Sequence, residues 1–367
     1  MILQKMSLKK TKLVHCISSL QRGGAEEVVC SLIEALIPEY TQTVVYFYDG
    51  PHRISLEAQG IRCIQIQGLI APYDLLAFIR FFKIIRALKP DVMHSALWLA
   101  NLFARITGKL LRIKTVNSLH NTITRDHDGY MRILIDKISL TLADHIIAVT
   151  PLVALSAPRA IQHKIRVIPN GINHQKLLSH PRISREQLQL DQEHFVIGAV
   201  GRFVPVKNHT LLITCFSQIY RKHPHTRLVL LGAGPLEQDI RTHIKNLRLE
   251  HSIRLVIAQP AQHYYALFDC FAQPSKNEGL SIALLEALSF ALPAIVTGQH
   301  QSHPVITDAI DGIVIHPDSV TQLVNALETL ILNKQLCDQL GKQGSALVQK
   351  HYSLTAMAQT YSSLLGK

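Results

Sequence analysis

The chain reads as α/β, built as two Rossmann-like halves, and three observations predict it. Short apolar runs alternate with helix-length amphipathic segments from end to end. A length of 367 residues exceeds one ordinary domain and suits two. The alternation breaks once, across 174–194, where Gln, His and Pro181 replace paired apolar residues, and then restarts.

Strands are expected in the first half at 13–18, 43–47, 62–66, 91–94, 115–119 and 145–149. Helical periodicity lies between them near 25–36, 74–88, 98–109, 130–142 and 151–157. Val167-Ile168 is a last short strand, ended by the turn Pro169-Asn170-Gly171. The polar stretch 174–194 is read as a linker. Beyond it come strands at 195–200, 227–231, 253–257, 270–273 and 294–297, with helices at 207–222, 235–249 and 281–290. Helical patterns at 319–333, 335–349 and 353–365 close the chain. The division implied is 1–180, 181–350 and a terminal helix over 351–367.

Composition removes several classes. No stretch approaches the ~18 consecutive apolar residues of a membrane span. The start, with Lys9, Lys10 and Lys12 before a short apolar run, lacks a signal-peptide cleavage site, so a cytoplasmic location is expected. The six cysteines stand apart, several inside apolar runs, and read as reduced buried thiols. Twenty histidines carry neither an H-E-x-x-H pair nor zinc spacing with cysteine, so no metal site is expected. Residues 1–180 hold 22 Lys+Arg against 12 Asp+Glu, and residues 181–367 hold 16 against 14. The first half is therefore the part expected to meet something anionic.

The chemistry concentrates after strand ends. In Gln273-Pro274-Ser275-Lys276-Asn277-Glu278-Gly279-Leu280-Ser281 a strand ends, a glycine lets the chain turn, and a helix begins at Ile282. A helix start aims free N–H groups and positive potential at whatever lies above it, which favours phosphate. Glu278 and Glu286 bracket that start; repelled by phosphate, they suit the neutral hydroxyls of sugar rings. Gly201-Arg202-Phe203-Val204-Pro205-Val206-Lys207 also joins a strand to a helix, so Arg202 and Lys207 would face the same edge as cationic partners of a diphosphate. Leu231-Gly232-Ala233-Gly234-Pro235 lacks the third glycine of a dinucleotide fingerprint and reads as a packing turn. In the first half, Gly23-Gly24 opens a helix and permits close backbone approach to a ligand. His120 ends a strand. Asp126-His127-Asp128 spells D-x-D, but with Arg125 and Gly129 beside it the segment reads as a solvated turn.

Taken in order, "GGAEEVV" (23–29), "ADHIIAVT" (143–150), "VIPNGIN" (167–173), "GRFVPVKNHTLLI" (201–213), "LLGAGPLE" (230–237) and "QPSKNEGLSIALLEALSFALPAIVT" (273–297) resemble the family-4 retaining glycosyltransferases. The last block holds the family's E-x7-E spacing, and the likeness spans nearly the whole chain. It implies the GT-B fold: two Rossmann-like domains facing each other across a crevice, with the final helix returning to the first. It implies a nucleotide-diphosphate sugar as donor, no further cofactor and no obligatory metal. Arg202 and Lys207 would grip the diphosphate with backbone N–H groups around Gly279, Leu280, Ser281 and Ile282. Glu286 would bind the ribose, Glu278 the transferred sugar, Gly23 and Gly24 the phosphates and acceptor, and His120 would lie near the reacting sugar. The chain departs from the family at Leu280-Ser281, at 298–304 and at Ile257-Ala258-Gln259-Pro260, where a glycine is usual. These positions touch base and sugar recognition.

The function expected is therefore sugar transfer with retention, the leaving phosphate helping to deprotonate a glycan or lipid-linked acceptor. A nucleotide-sugar epimerase would share the architecture but not the E-x7-E block. A nucleic-acid binder would account for the basic first half, but its basic residues do not alternate with exposed aromatics and the chain has one Trp, so no nucleic-acid partner is expected. The segment 74–89 repeats basic residues at Arg80, Lys83, Arg86 and Lys89, with Leu75, Phe78, Phe82 and Ile85 on another side. Such a helix suits an anionic membrane surface, which implies peripheral attachment through the first domain.

Overall fold

The computed structural model describes residues 10–71, 74–122, 130–298 and 303–366. The chain forms two compact units. One ends at Gly171 and takes the chain back from Leu354, and the other spans Ile172–Ser353.

In the first unit, strands β1 (Thr11–Ser19), β2 (Tyr40–Tyr48), β3 (Arg62–Gln65), β4 (Val92–Ala96), β5 (Lys114–Leu119), β6 (His145–Ala148) and β7 (Ile165–Val167) alternate with helices. These are α1 (Gly24–Leu36), α2 (Pro51–Ala58), α3 (Leu75–Leu88), α4 (Trp98–Leu111), α5 (Tyr130–Ser139) and α6 (Pro151–Ser156). Among the described residues the strands form one parallel sheet in the order β3-β2-β1-β4-β5-β6-β7. The order reverses between β1 and β4. Apolar residues on both sides of β1, β2 and β4 are buried, as a sheet covered on two faces requires.

The second unit opens with α7 (His174–Leu178) and alternates β8 (Phe195–Val200), α8 (His209–Lys222), β9 (Thr226–Gly232), α9 (Glu237–Asn246), β10 (Ile253–Ile257) and β11 (Cys270–Gln273). It continues with α10 (Ile282–Ser289), β12 (Ala294–Thr297), β13 (Ile313–Ile315), α11 (Val320–Leu332) and α12 (Lys334–His351). Its parallel sheet runs β10-β9-β8-β11-β12-β13 and reverses between β8 and β11. The last helix, α13 (Leu354–Leu365), packs in the first unit against α1. There Tyr361 OH lies 2.9 Å from Ser118 Oγ, and Ser362 Oγ lies 2.9 Å from Tyr40 OH and donates to Glu39 at 2.6 Å.

Three sequence expectations need correction. The stretch 174–194 is no free linker but part of the second unit. Arg185 donates to the carbonyls of Asp191, Gln192, His194 and Leu267 and pairs with Asp269 at 3.0 Å, and Arg254 donates to Leu188 O at 2.8 Å. Polar side chains bind this segment where apolar pairs are lacking. The boundary consequently falls at Gly171 rather than 180, and the return at Leu354 rather than 351. Third, α3 spends its apolar side on the core through Ala77, Phe81 and Ile85, while Leu75 is exposed instead of joining that side. Arg80 is tied down as well, donating to Gln67 O at 2.7 Å. No helix among the described residues is long and apolar enough to cross a membrane.

Candidate active site

Loops at the carboxyl ends of parallel strands face outward where strand order reverses, and ligands of open α/β sheets bind there. In the second unit that point lies between β8 and β11, so the loops that follow them are Gly201–Asn208 and Pro274–Ser281. The two loops touch, the Lys276 N–H donating to Val206 O at 2.8 Å.

Lys207 ends a single 3-10 turn, Pro205–Lys207, and Asn208 then adopts a left-handed φ of 55° before α8 begins. Asparagine tolerates that conformation better than most residues. The turn aims the ammonium at the second loop, where Lys207 Nζ donates to Glu278 Oε1 in an ion pair. Both side chains are 19% exposed, so the pair is shielded yet open to a ligand. Ser275 Oγ donates to the same carboxylate oxygen at 2.8 Å, and Thr297 at the end of β12 donates to Ser275 O. Arg202 is exposed, and its side chain has no hydrogen bond or ion pair among the described residues. His209, beneath it, is buried, and burial holds its imidazole near a pKa of about 4.

Ser281 caps α10: its Oγ accepts from the Leu284 N–H at 3.3 Å and donates to Gln273 Oε1 at 2.7 Å. The N–H groups of Ile282 and Ala283 lie in the first turn and have no intrahelical acceptor, the condition for an anion site. Gly279 is half-buried in the turn, and Leu280 and Ile282 are buried on either side of the cap. Glu286 accepts from Tyr265 OH at 2.8 Å. The turn after β9 is closely packed. A side chain on Gly232 would strike Gly201 O, and one on Gly234 would meet the Phe203 backbone, so the glycines serve packing as expected. Where the family carries a glycine after β10, Ala258 holds a left-handed φ of 52°, a conformation that costs an alanine about 1–2 kcal/mol.

The first unit supplies a different edge. Its reversal point lies between the loops after β1 and β4. Gly23 precedes α1 in extended backbone, and a side chain there would strike the Glu26 carboxylate. Glu26 and Glu27 occupy the first turn of α1, so this helix start is already acidic. His52 Nε2 lies 3.6 Å from Glu27. Leu97, just after β4, has φ 68° and ψ 153°, a region that strains a branched side chain by about 1–3 kcal/mol. His120 follows β5. Burial lowers it to a pKa of about 4, and neither ring nitrogen has a partner among the described residues.

Behind that edge runs a directed hydrogen-bond chain. Gln42 Nε2 donates to Ile33 O at 3.0 Å, so its Oε1 accepts from His15 Nε2 at 2.7 Å. Neutral His15 therefore offers Nδ1 as acceptor to His94 Nδ1–H at 3.0 Å. His94 Nε2 then accepts from Ser118 Oγ at 2.8 Å, and Ser118 accepts from Tyr361 of α13. With both imidazoles neutral, the form their burial favours, each member of the chain has one role.

The structure thus brings together Lys207, Glu278, Gly279, Leu280, Ser281, Ile282 and Glu286 at one edge, with Arg202 on the adjoining loop. Gly23, Gly24 and His120 lie in the first unit. Asp126-His127-Asp128 lies outside the described residues, as does part of 298–304. Sequence reasoning missed Tyr265, Ser275 and Thr297. A buried tyrosine beside a phenylalanine-rich run was the one available signal for the first of them.

Two parallel sheets, each reversing strand order once, and a lysine–glutamate pair before a capped helix fit the glycosyltransferase class that the sequence resemblance implies. The comparisons agree. Residues 182–346 match the Glycosyl transferases group 1 model, and residues 22–176 match the Glycosyltransferase Family 4 model. The chain belongs to these glycosyltransferases of GT-B fold. It is 24% identical to the capsular polysaccharide biosynthesis glycosyltransferase CapM of Staphylococcus aureus, over 94% of each chain. It is 25% identical to the putative glycosyltransferase EpsF of Bacillus subtilis, over 84% of this chain and 83% of that one. Among solved structures it resembles HepE of Anabaena, in complex with UDP and glucose, with TM-score 0.85 and 20% identity over 97% of this chain and 99% of that one.

Proposed function

We propose that this glycosyltransferase takes its sugar from a nucleoside diphosphate and transfers it with retention of configuration. The observation that carries the reading is the meeting of Lys207 with Glu278 in front of the capped start of α10. A diphosphate there would draw Lys207 toward its oxygens, with Arg202 as the second cation and the first N–H groups of α10 as donors. These groups balance the charge of the leaving group, so the reaction needs no obligatory metal. Glu278, released, accepts from hydroxyls of the transferred sugar, and Glu286 accepts from the ribose. The bond from the anomeric carbon to the diphosphate breaks, the bond to the acceptor oxygen forms, and the acceptor proton passes to the departing phosphate. His120, uncharged at neutral pH, offers its imidazole to a sugar hydroxyl. Gly23 and Gly24 belong to the acceptor side, because the carboxylates at the start of α1 suit hydroxyls better than phosphate.

The acceptor we propose is a growing surface glycan on a lipid carrier, by analogy with the capsular relative. The first unit would reach it at an anionic membrane. Its exposed apolar side chains include Ile70, Leu75, Leu76 and Ile79 near the start of α3, and Met131, Leu134 and Ile138 along α5. Lys83 and Arg86 stand exposed on α3.

A panel of UDP-, GDP- and ADP-sugars, read by thermal shift and then by transfer, tests the donor. One nucleotide family should protect the protein, and transfer should continue after dialysis against EDTA. Turnover abolished by EDTA and restored by a divalent ion would reject the metal-free reading. Protection by none of the donors would reject the site.

A further inference from the structure

We infer that Tyr265 is a positioning residue for nucleotide recognition, holding the Glu286 carboxylate at the angle from which it receives the ribose hydroxyls. The inference rests on the reading that Glu286 binds the ribose. Tyr265 lies between β10 and β11, in a 3-10 turn spanning Tyr265–Leu267, and is fully buried. Its ring stacks on Phe290 with centroids 5.6 Å apart and planes 26° apart, and meets Phe268 edge-on at 5.9 Å. Phe271 closes a third side at 6.2 Å. Within this aromatic seat the ring has one orientation, and it sets the hydroxyl 2.8 Å from Glu286 Oε2.

Glu286 and Phe290 are four residues apart and so share one face of α10 and its end. Tyr265 grips that face twice, ring on Phe290 and hydroxyl on Glu286. A phenol buried this deeply must spend its hydrogen bond somewhere. Here it is spent on a half-buried carboxylate at a ligand edge rather than on a backbone carbonyl of its own turn. Burial, reinforced by the neighbouring Glu286 charge, pushes the phenol well above its ordinary range. Tyr265 therefore stays a donor wherever the protein is folded, and it fixes one carboxylate oxygen. Two hydroxyls on adjacent ribose carbons demand a carboxylate in a set plane, and the bond from Tyr265 contributes to setting it.

The test compares two forms of one nucleotide. Calorimetry measures the affinity of whichever of UDP, GDP or ADP binds most tightly, and of its 2′,3′-dideoxy counterpart, for four proteins. These are the parent, Y265F, E286Q and F290L, which loosens the seat but keeps the hydroxyl. The parent should prefer the ribose form. In Y265F that preference should shrink by about tenfold while affinity for the dideoxy form holds, since a hydrogen bond to a charged group is the only thing removed. F290L should shrink it less, and E286Q should abolish it. An unchanged preference in Y265F with E286Q collapsed would overturn the inference and leave the ribose reading standing. Equal losses for both nucleotides in Y265F would mean a purely structural role and also overturn it. An unchanged preference in E286Q would sink the ribose reading itself.

Discussion

In the second unit the edge between β8 and β11 is closed on itself: Lys207 holds Glu278, Ser275 supports the same carboxylate, and Ser281 caps the helix behind. In the first unit the matching edge between β1 and β4 carries two glutamates on α1, a strained Leu97 and an imidazole without a partner among the described residues. The half of the chain with the larger positive charge therefore has the more acidic ligand edge. At that edge the loop after β1 offers one exposed cation, Arg22, while Lys83, Arg86 and Lys109 are exposed on helices and Arg62 and Arg166 on strands. The net charge of a half and the charge at its strand-end edge are therefore separate quantities.

The sharpest way to break this contrast is Lys207→Ala. It removes the one shielded cation of the second edge, and kcat/KM for the donor should fall by about 2–4 kcal/mol, as when a charge-stabilising group is lost. The thermal midpoint should move little, because Glu278 keeps Ser275 and remains partly solvated. Steady-state kinetics and a melting curve decide it. Transfer at the parent rate would show that phosphate is held elsewhere.

The second test uses the interior of the first unit. His15 is held at a pKa of about 4 by burial, partly offset by its bond to Gln42, and His94 is lowered by burial and by its histidine neighbours. Unfolded, each returns to about 6.5. Folded-state values below unfolded ones mean that stability is complete above pH 6.5 and is lost as pH falls toward 4. For His15 alone that amounts to about 3 kcal/mol. Trp98, the chain's one tryptophan, lies in the first unit and reports it selectively. Urea midpoints followed by its fluorescence should drop steeply between those pH values, and less steeply when His94 becomes Gln, because His15 keeps its own share. A flat profile in the parent would mean that the pair is not neutral.

A third and smaller contrast lies within the second edge. Glu286→Gln should weaken binding of the free nucleoside diphosphate by about 1.5–3 kcal/mol, the worth of hydrogen bonds to a charged acceptor. Glu278→Gln should leave that binding nearly intact and slow transfer. Equal losses in calorimetry would merge the two roles.

What could be read from the sequence follows from how far each feature reaches along the chain. Lys207, Glu278 and Glu286 were legible because strand, glycine turn and helix follow one another within a few residues. The sheets were legible where buried strands are apolar runs, as in β8 and β12, and less so in β4 and β5, which bury His94, Ser95, Asn117 and Ser118. Helix α2 was not, since only Leu56 of its eight residues is buried and no apolar period exists. Strand β13 is three residues long and gives no pattern. Segment 174–194 looked like a linker because arginine-to-carbonyl bonds leave no hydrophobic trace. Tyr265 with Glu286, and His15 with His94, are pairs made by register and packing, which local patterns do not encode.

The smallest expected effect concerns the outer face of the first unit. If its helices carry charge for a membrane rather than for the donor, vesicle binding and catalysis should separate. On α3, Lys83 and Arg86 are exposed beside Ile79 and beyond Leu75 and Leu76, an apolar start with a basic continuation. Arg80 does not belong to that set, since it holds the carbonyls of Gln67 and Gly68. Each basic residue near an anionic surface adds about 1 kcal/mol, so changing Lys83 and Arg86 to Gln should weaken binding by about 2 kcal/mol in total. Arg80→Gln should weaken it less and lower the melting temperature instead. Sedimentation with phosphatidylglycerol vesicles should show the loss, and raising salt should mimic it as the Debye length shortens. Transfer to a short water-soluble acceptor should be untouched by the double change, because neither residue lies at a ligand edge. Equal pelleting with neutral vesicles, or none with either, would remove the membrane from the account and leave the basic face as solvated surface.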